Sequence, residues 1–249
     1  MTGYPGGMGA PESGGRLSDA RGKAEEAVKS AVDDAIALVK PRFRGVTHKW
    51  AFFVSLVVGV LLVAFAPSGQ ARFACAIYAV SVSGLFGTSA LYHRINWSPR
   101  ARRWMRRLDH AMIFVLIAGT YTPFALLALD GSFSTVVLLG VWGGAIGGII
   151  LQLVWIDAPK WLSAVVYVAL GWFAIVAAPE FLDQLNIVAV LLVALGGILY
   201  TIGAVIYATK RPNPAPATFG YHEIFHALTI AAALAQLAAI VFYVLPAES

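Results

Sequence analysis

The sequence predicts an all-α membrane protein: a bundle of seven transmembrane helices with the N-terminus in the cytoplasm and the C-terminus outside. Three observations carry that prediction. Of 249 residues, 59% are apolar and only 12% charged, against about 25% charged in ordinary soluble domains. The mean hydropathy of +0.75 belongs to a chain that uses lipid as solvent, because a 26.5 kDa globule has no interior large enough for so many apolar side chains. Soluble enzyme classes are therefore excluded. Second, uncharged apolar stretches recur in series, each near the ~20 residues that cross ~30 Å of hydrocarbon. Third, the basic residues are shared very unequally between the two sides that those stretches define.

The stretches fall at about 50–66, 72–92, 109–129, 133–155, 161–178, 186–208 and 221–245. Connections such as 130–132 and 157–160 are too short for anything but antiparallel neighbouring helices. Trp50, Trp104, Trp155 and Trp161 sit at the ends, where amphipathic rings prefer the headgroup zone. Before them, residues 1–16 are rich in Gly, Pro and Ser without the basic start and apolar core of a signal peptide, and read as disordered. From about 17 to 40, apolar residues recur at helical spacing behind Ser18 and stop at Pro41, which predicts an amphipathic helix lying on the membrane surface or on the protein. Residues 1–40 thus form a tail, and 41–249 the membrane domain.

Seventeen of the eighteen Lys and Arg residues lie in the N-terminal segment or the second, fourth and sixth connections, leaving only Arg72 on the other side. Cytoplasmic loops retain basic residues, so this partition sets the orientation and requires an odd number of spans. It also explains the net charge of +5 without nucleic acid, which is not expected as a partner. The one cysteine, Cys75, permits neither an intrachain disulfide nor a thiolate zinc finger.

Four of the five histidines, His93, His110, His222 and His226, lie at the cytoplasmic ends of spans. Ionisable groups there are tolerated when they pair, face a polar cavity or bind an ion. His222 and His226 are one helical turn apart and can reach a single metal. Ser89 and His93 repeat that spacing, and Asp109 opens the third span at the same level. Three neutral imidazoles plus a water is the arrangement of a catalytic zinc site, in which a nearby carboxylate can take the water's proton.

Taken together, Ser89-x3-His93, Leu108-Asp109-His110, the run Ala118-Gly119-Thr120-Tyr121-Thr122-Pro123 and Gly220-Tyr221-His222-Glu223-Ile224-Phe225-His226 resemble the hemolysin III family. That family is the bacterial branch of the progestin and adipoQ receptors and is related to alkaline ceramidases. The resemblance covers about 44–245. It implies seven helices with the orientation above, Zn²⁺ held by His93, His222 and His226, and Ser89 and Asp109 in contact with the water that completes the site. The implied activity is zinc-dependent hydrolysis of a lipid amide or ester at the cytoplasmic face of the plasma membrane, with a membrane lipid as substrate or ligand. The competing reading is a non-enzymatic sensor or homeostasis factor with structural zinc. A pore would need polar residues through the full depth, and the outer halves of the spans carry few.

Other residues read more plainly. His110 points about 100° away from Asp109 on a helix and suits a supporting or interfacial role. Glu223 either supports a ligand or faces the cytosol. The Thr120–Pro123 run reads as a structural kink, and Gly140, Gly144 and Gly148 as a close helix crossing. His48 reads as a headgroup contact, and the loop Arg100–Arg107 as a topology signal that can also bind anionic lipid headgroups.

A reporter fused after Ser249 tests the orientation. We expect it to be active only outside the cytoplasm, and activity confined to the cytoplasm would overturn the seven-span, N-inside arrangement.

Overall fold

The computed structural model describes residues 41–175 and 178–248, together with Val28. The tail and amphipathic helix expected over 1–40 otherwise lie outside the described residues. Among the described residues eight α-helices follow one another: α1 (Val46–Phe65), α2 (Gly69–Arg94), α3 (Pro99–Ala128), α4 (Gly131–Val154), α5 (Lys160–Gly171), α6 (Ala178–Gln184), α7 (Ile187–Thr209) and α8 (Tyr221–Ala239). Among the described residues there is no strand, only an isolated bridge between Ala215 and Phe219. Six helices are long and apolar enough to cross a membrane, and a shorter apolar helical stretch runs over Trp161–Ile175. The protein is a multi-pass integral membrane protein built as a helical bundle.

Consecutive helices α1 to α4 pack side by side, α5 packs on α7, α7 on α8, and α8 returns to α1. The interior belongs to α3. Its apolar window is 61% buried against 17% for α1, so α1 presents most of its surface outward and α3 forms the wall that the others surround. The close crossing expected at the glycines is present. A Cβ on Gly148 would lie 2.1 Å from Phe114 of α3, and one on Gly144 would lie 2.5 Å from Leu170 of α5. Only the missing side chains let these helices approach.

One expectation needs correction, and two spans that hold as expected depart locally from α form. The third helix begins at Pro99 rather than 109, so Arg100–Arg107 is not a loop but the opening turns of α3. The Ser98 side chain accepts from Ala101 N and Pro99 occupies the first turn, where it forfeits no helical bond. Hydropathy could not see those turns because they are basic. The fifth stretch, expected as one helix over 161–178, loses its α form after Gly171 and tightens into a 3₁₀ turn over Trp172–Ile175. Tyr121 of α3 holds the break: its hydroxyl donates to Gly171 O at 2.6 Å and accepts from Ala174 N at 2.5 Å. The last stretch, expected as one helix to 245, is α-helical only to Ala239 and widens into a π turn over Ile240–Val244. That turn packs against α3.

Within the Thr120–Pro123 run, two side chains make hydrogen bonds inside the bundle. Thr122 donates to Ala118 O and accepts from Trp142 Nε1, and Tyr121 staples the α5 break.

Gly148→Ala is expected to lower stability by about 1–3 kcal/mol through overpacking against Phe114, read as a fall in Tm in detergent. Gly143, whose Cβ would meet nothing within 4 Å, serves as the comparison: Gly143→Ala should stay within about 0.5 kcal/mol. Equal shifts would refute the close crossing.

Candidate metal centre

Two helix ends bring the histidines together. His93 lies in the last turn of α2, while His222 and His226 occupy the first two turns of α8. The start of α8 is secured by Glu223, whose Oε2 accepts from Gly220 N at 2.9 Å. Glu223 Oε1 also accepts from Arg44 Nε at 2.5 Å, with Glu223 itself 1% exposed. Glu223 therefore does not face the cytosol. It joins the helix that carries two histidines to the segment before α1.

One candidate ligand nitrogen from each of His93, His222 and His226 lies within 4.8 Å of the others. His222 Nε2 and His93 Nε2 are 3.1 Å apart, a hydrogen-bond distance in which one ring carries the proton and the other accepts. Tetrahedral zinc with Zn–N bonds of about 2.0–2.1 Å holds its nitrogens about 3.4 Å apart, so small side-chain adjustments close this triad on an ion. The donor set fits the metal: three imidazoles, two of them buried at 7% and 2% exposure for His93 and His226, with His226 Nδ1 lacking a hydrogen-bond partner among the described residues.

Asp109 reaches the same place from the third turn of α3. Its Oδ2 lies 3.9 Å from His93 Nε2, and its carboxyl interacts with the Ser89 side chain. All five residues expected at the site are thus gathered at one end of the bundle. His110 is not among them. Its ring meets Tyr207 edge-on at 6.4 Å, and its carbonyl accepts from Tyr167.

The expectation for His48 was wrong. It contacts no headgroup: the residue is 2% exposed, and its ring stacks on His226 with centroids 3.8 Å apart and planes within 8°. The segment that leads into α1 wraps the histidines. Gly45 has a φ of +74°, and a Cβ there would lie 2.6 Å from the Cβ of His93, so both the backbone turn and the close approach require glycine. Arg44, Gly45 and His48 were not legible as site residues. The only signal was a histidine beside Lys49 and Trp50, which more simply suits an interface.

The family model described as "Haemolysin-III related" matches residues 36–237, a region that includes every residue of the site. The chain belongs to the haemolysin III family. It is 32% identical over 201 residues to the Hemolysin-3 homolog of Bacillus subtilis (strain 168), covering 80% of this chain and 91% of that protein. It is likewise 32% identical over 207 residues to Hemolysin-3 of Bacillus cereus, covering 82% and 91%. A more distant similarity, 23% over 200 residues, links it to the human Monocyte to macrophage differentiation factor, covering 78% and 80%. The resemblance expected of this haemolysin III chain thus holds over most of its length.

Purified protein is expected to carry about one zinc ion per chain and to lose it in His222→Ala or His226→Ala, because two imidazoles hold the ion poorly. Elemental analysis of the three proteins checks this. Stoichiometric zinc in both variants would refute the ligand set.

Proposed function

We propose that this protein is a zinc-dependent hydrolase of a membrane-lipid amide or ester, working at the cytoplasmic side of the plasma membrane. One observation carries the reading: Ser89, Asp109, His222 and His226 line one end of a cavity of about 250 Å³ whose other walls are largely apolar and run between the helices as far as Phe181 and Gln236. A polar, metal-capable end joined to a long apolar recess suits a lipid whose scissile bond lies beside its headgroup. The exposed Arg102 and Arg103 on the opening turns of α3 offer charge to an anionic headgroup at that end.

Zinc held by His93, His222 and His226 would supply Lewis acidity toward the carbonyl and a water of lowered pKa. Asp109, the one carboxylate among the residues lining the cavity, takes a proton from the attacking water at its carboxyl oxygen. As the C–N or C–O bond breaks, it returns that proton to the leaving amine or alkoxide. Ser89 holds Asp109 in place: its one hydroxyl proton serves the carboxyl, and its lone pairs remain for the attacking water. His48 stacks flat on His226 and lines the same cavity.

The proposal predicts that zinc and activity part company at Asp109. Asn keeps the size but cannot accept a proton, so Asp109→Asn should retain most of the zinc while hydrolysis of a ceramide-like amide falls by roughly 10²–10⁴-fold. Unchanged turnover with zinc intact would remove Asp109 as the base. Zinc retained in a wild type that hydrolyses no lipid amide or ester would favour the sensor reading instead.

A further inference from the structure

The cavity does not end in plain hydrocarbon. Besides His48 and His226 at the histidine end, three residues lining it bear buried polar atoms without a hydrogen-bond partner among the described residues: Thr120 Oγ1, the Tyr200 hydroxyl and Gln236 Oε1. Thr120 is 9% exposed and Gln236 5%. Thr120 follows Asp109 by three helical turns on α3, and Gln236 follows His226 by nearly as many on α8. At 1.5 Å per residue, both sit about 15 Å deeper than the histidine end. The α3 residues lining the cavity between Asp109 and Thr120 include Ile113, Leu116 and Ile117, so an apolar stretch separates two polar zones.

Gln236 occupies a prepared place. A Cβ on Gly196 would lie 2.3 Å from Gln236 Nε2, so only glycine on α7 leaves room for the amide there. Gln236 Nε2 donates to Val193 O at 3.2 Å. That bond orients the amide and leaves its oxygen as the unpaired atom. Tyr200 lies one turn along α7 from Gly196. Polar atoms stranded at membrane depth are costly unless something meets them.

We propose that Thr120, Tyr200 and Gln236 form a second, hydrogen-bonding subsite that receives a hydroxyl group carried partway along the hydrocarbon tail of the lipid. The proposal rests on the reading above in one respect, that the cavity seats a lipid tail. An amide oxygen only accepts, so the incoming group must donate, which excludes ketones, ethers and plain alkyl chains. A hydroxyl donates to Gln236 and still accepts from Thr120 or Tyr200. Its distance from the scissile bond is set by the ~15 Å between the two polar zones, a span that belongs to mid-chain rather than to the headgroup.

Oleate and ricinoleate differ only in one mid-chain hydroxyl and serve as the probes. Each is titrated into the full chain in detergent by calorimetry, and the ratio of the two Kd values is read. Comparing that ratio between proteins cancels the unequal partitioning of the two acids into micelles. Thr120→Val, Tyr200→Phe and Gln236→Met are each expected to shift the ratio toward oleate by about three- to tenfold, the loss of one net hydrogen bond, while oleate affinity changes little and reports that the variant is folded. Should Gln236→Met fail to fold, having also lost its bond to Val193, the nearly isosteric Thr120→Val and Tyr200→Phe decide the matter. A ratio unchanged in the folded variants, with oleate still bound, overturns the subsite and leaves the lipid cavity standing. Failure of the wild type to bind either acid overturns both.

Discussion

Polar rings buried at the end of a membrane bundle must find partners in one another, since lipid and apolar side chains provide none. Four imidazoles gather under that constraint here, with His226 Nδ1 and both nitrogens of His48 still without a hydrogen-bond partner among the described residues. His93 approaches His222 at 3.1 Å, His222 and His226 stand edge to face, and His48 stacks on His226. Everything around them serves the arrangement. Gly45 turns the chain tightly enough to lie on His93, the ion pair of Arg44 with Glu223 fixes where α8 begins, and Glu223 also caps that helix. Buried ion pairs rarely add much net stability, but breaking one leaves an uncompensated charge. Arg44 and Glu223 therefore act chiefly to specify one geometry.

Much of this was legible in the sequence because its physics is periodic. Apolar length identified the long helices, and the spacing of His222 and His226 placed both on one helix face. The meeting of Ser89, His93 and Asp109 was legible only because the turns between spans are short enough to set helix ends at common levels. What stayed hidden was non-local or masked by charge. The basic opening of α3 reads as loop on any hydropathy scale, and its helical state follows from the Ser98 cap and Pro99. His48 looked interfacial since burial depends on which helix lies opposite, a fact held by Gly45 and α8 rather than by its neighbours Lys49 and Trp50.

The break in the fifth apolar stretch has the same character. Nothing in Trp172-Phe173-Ala174-Ile175 opposes an α-helix strongly, yet the hydroxyl of Tyr121, fifty residues earlier, takes over the backbone groups that a continuous helix would have paired internally. Trp172 donates to Thr201 of α7 across the same region. Gly171, Trp172, Ala174 and Ile175 all line the cavity. A straight helix would present a regular ridge to α3 and α7, and the 3₁₀ turn replaces it with an irregular wall. Local irregularity in one helix is thus part of how a tightly packed bundle keeps an internal recess.

The histidine contact joins residues 129 positions apart, and the contact of Arg44 with Glu223 joins residues 179 apart. Synthesis proceeds at about 5–20 residues per second, so the segment before α1 and the end of α2 wait roughly ten seconds for α8 to be made. Throughout that interval His48 and His93 lack the rings that later cover them, and the contacts of α8 with α7 and α1 are not yet made. Insertion of the last helix is therefore a single assembly event: it shuts the seam between first and last helices and creates the polar cluster in the same movement. A nascent chain halted short of α8 is a membrane protein with most of its helices and none of its centre.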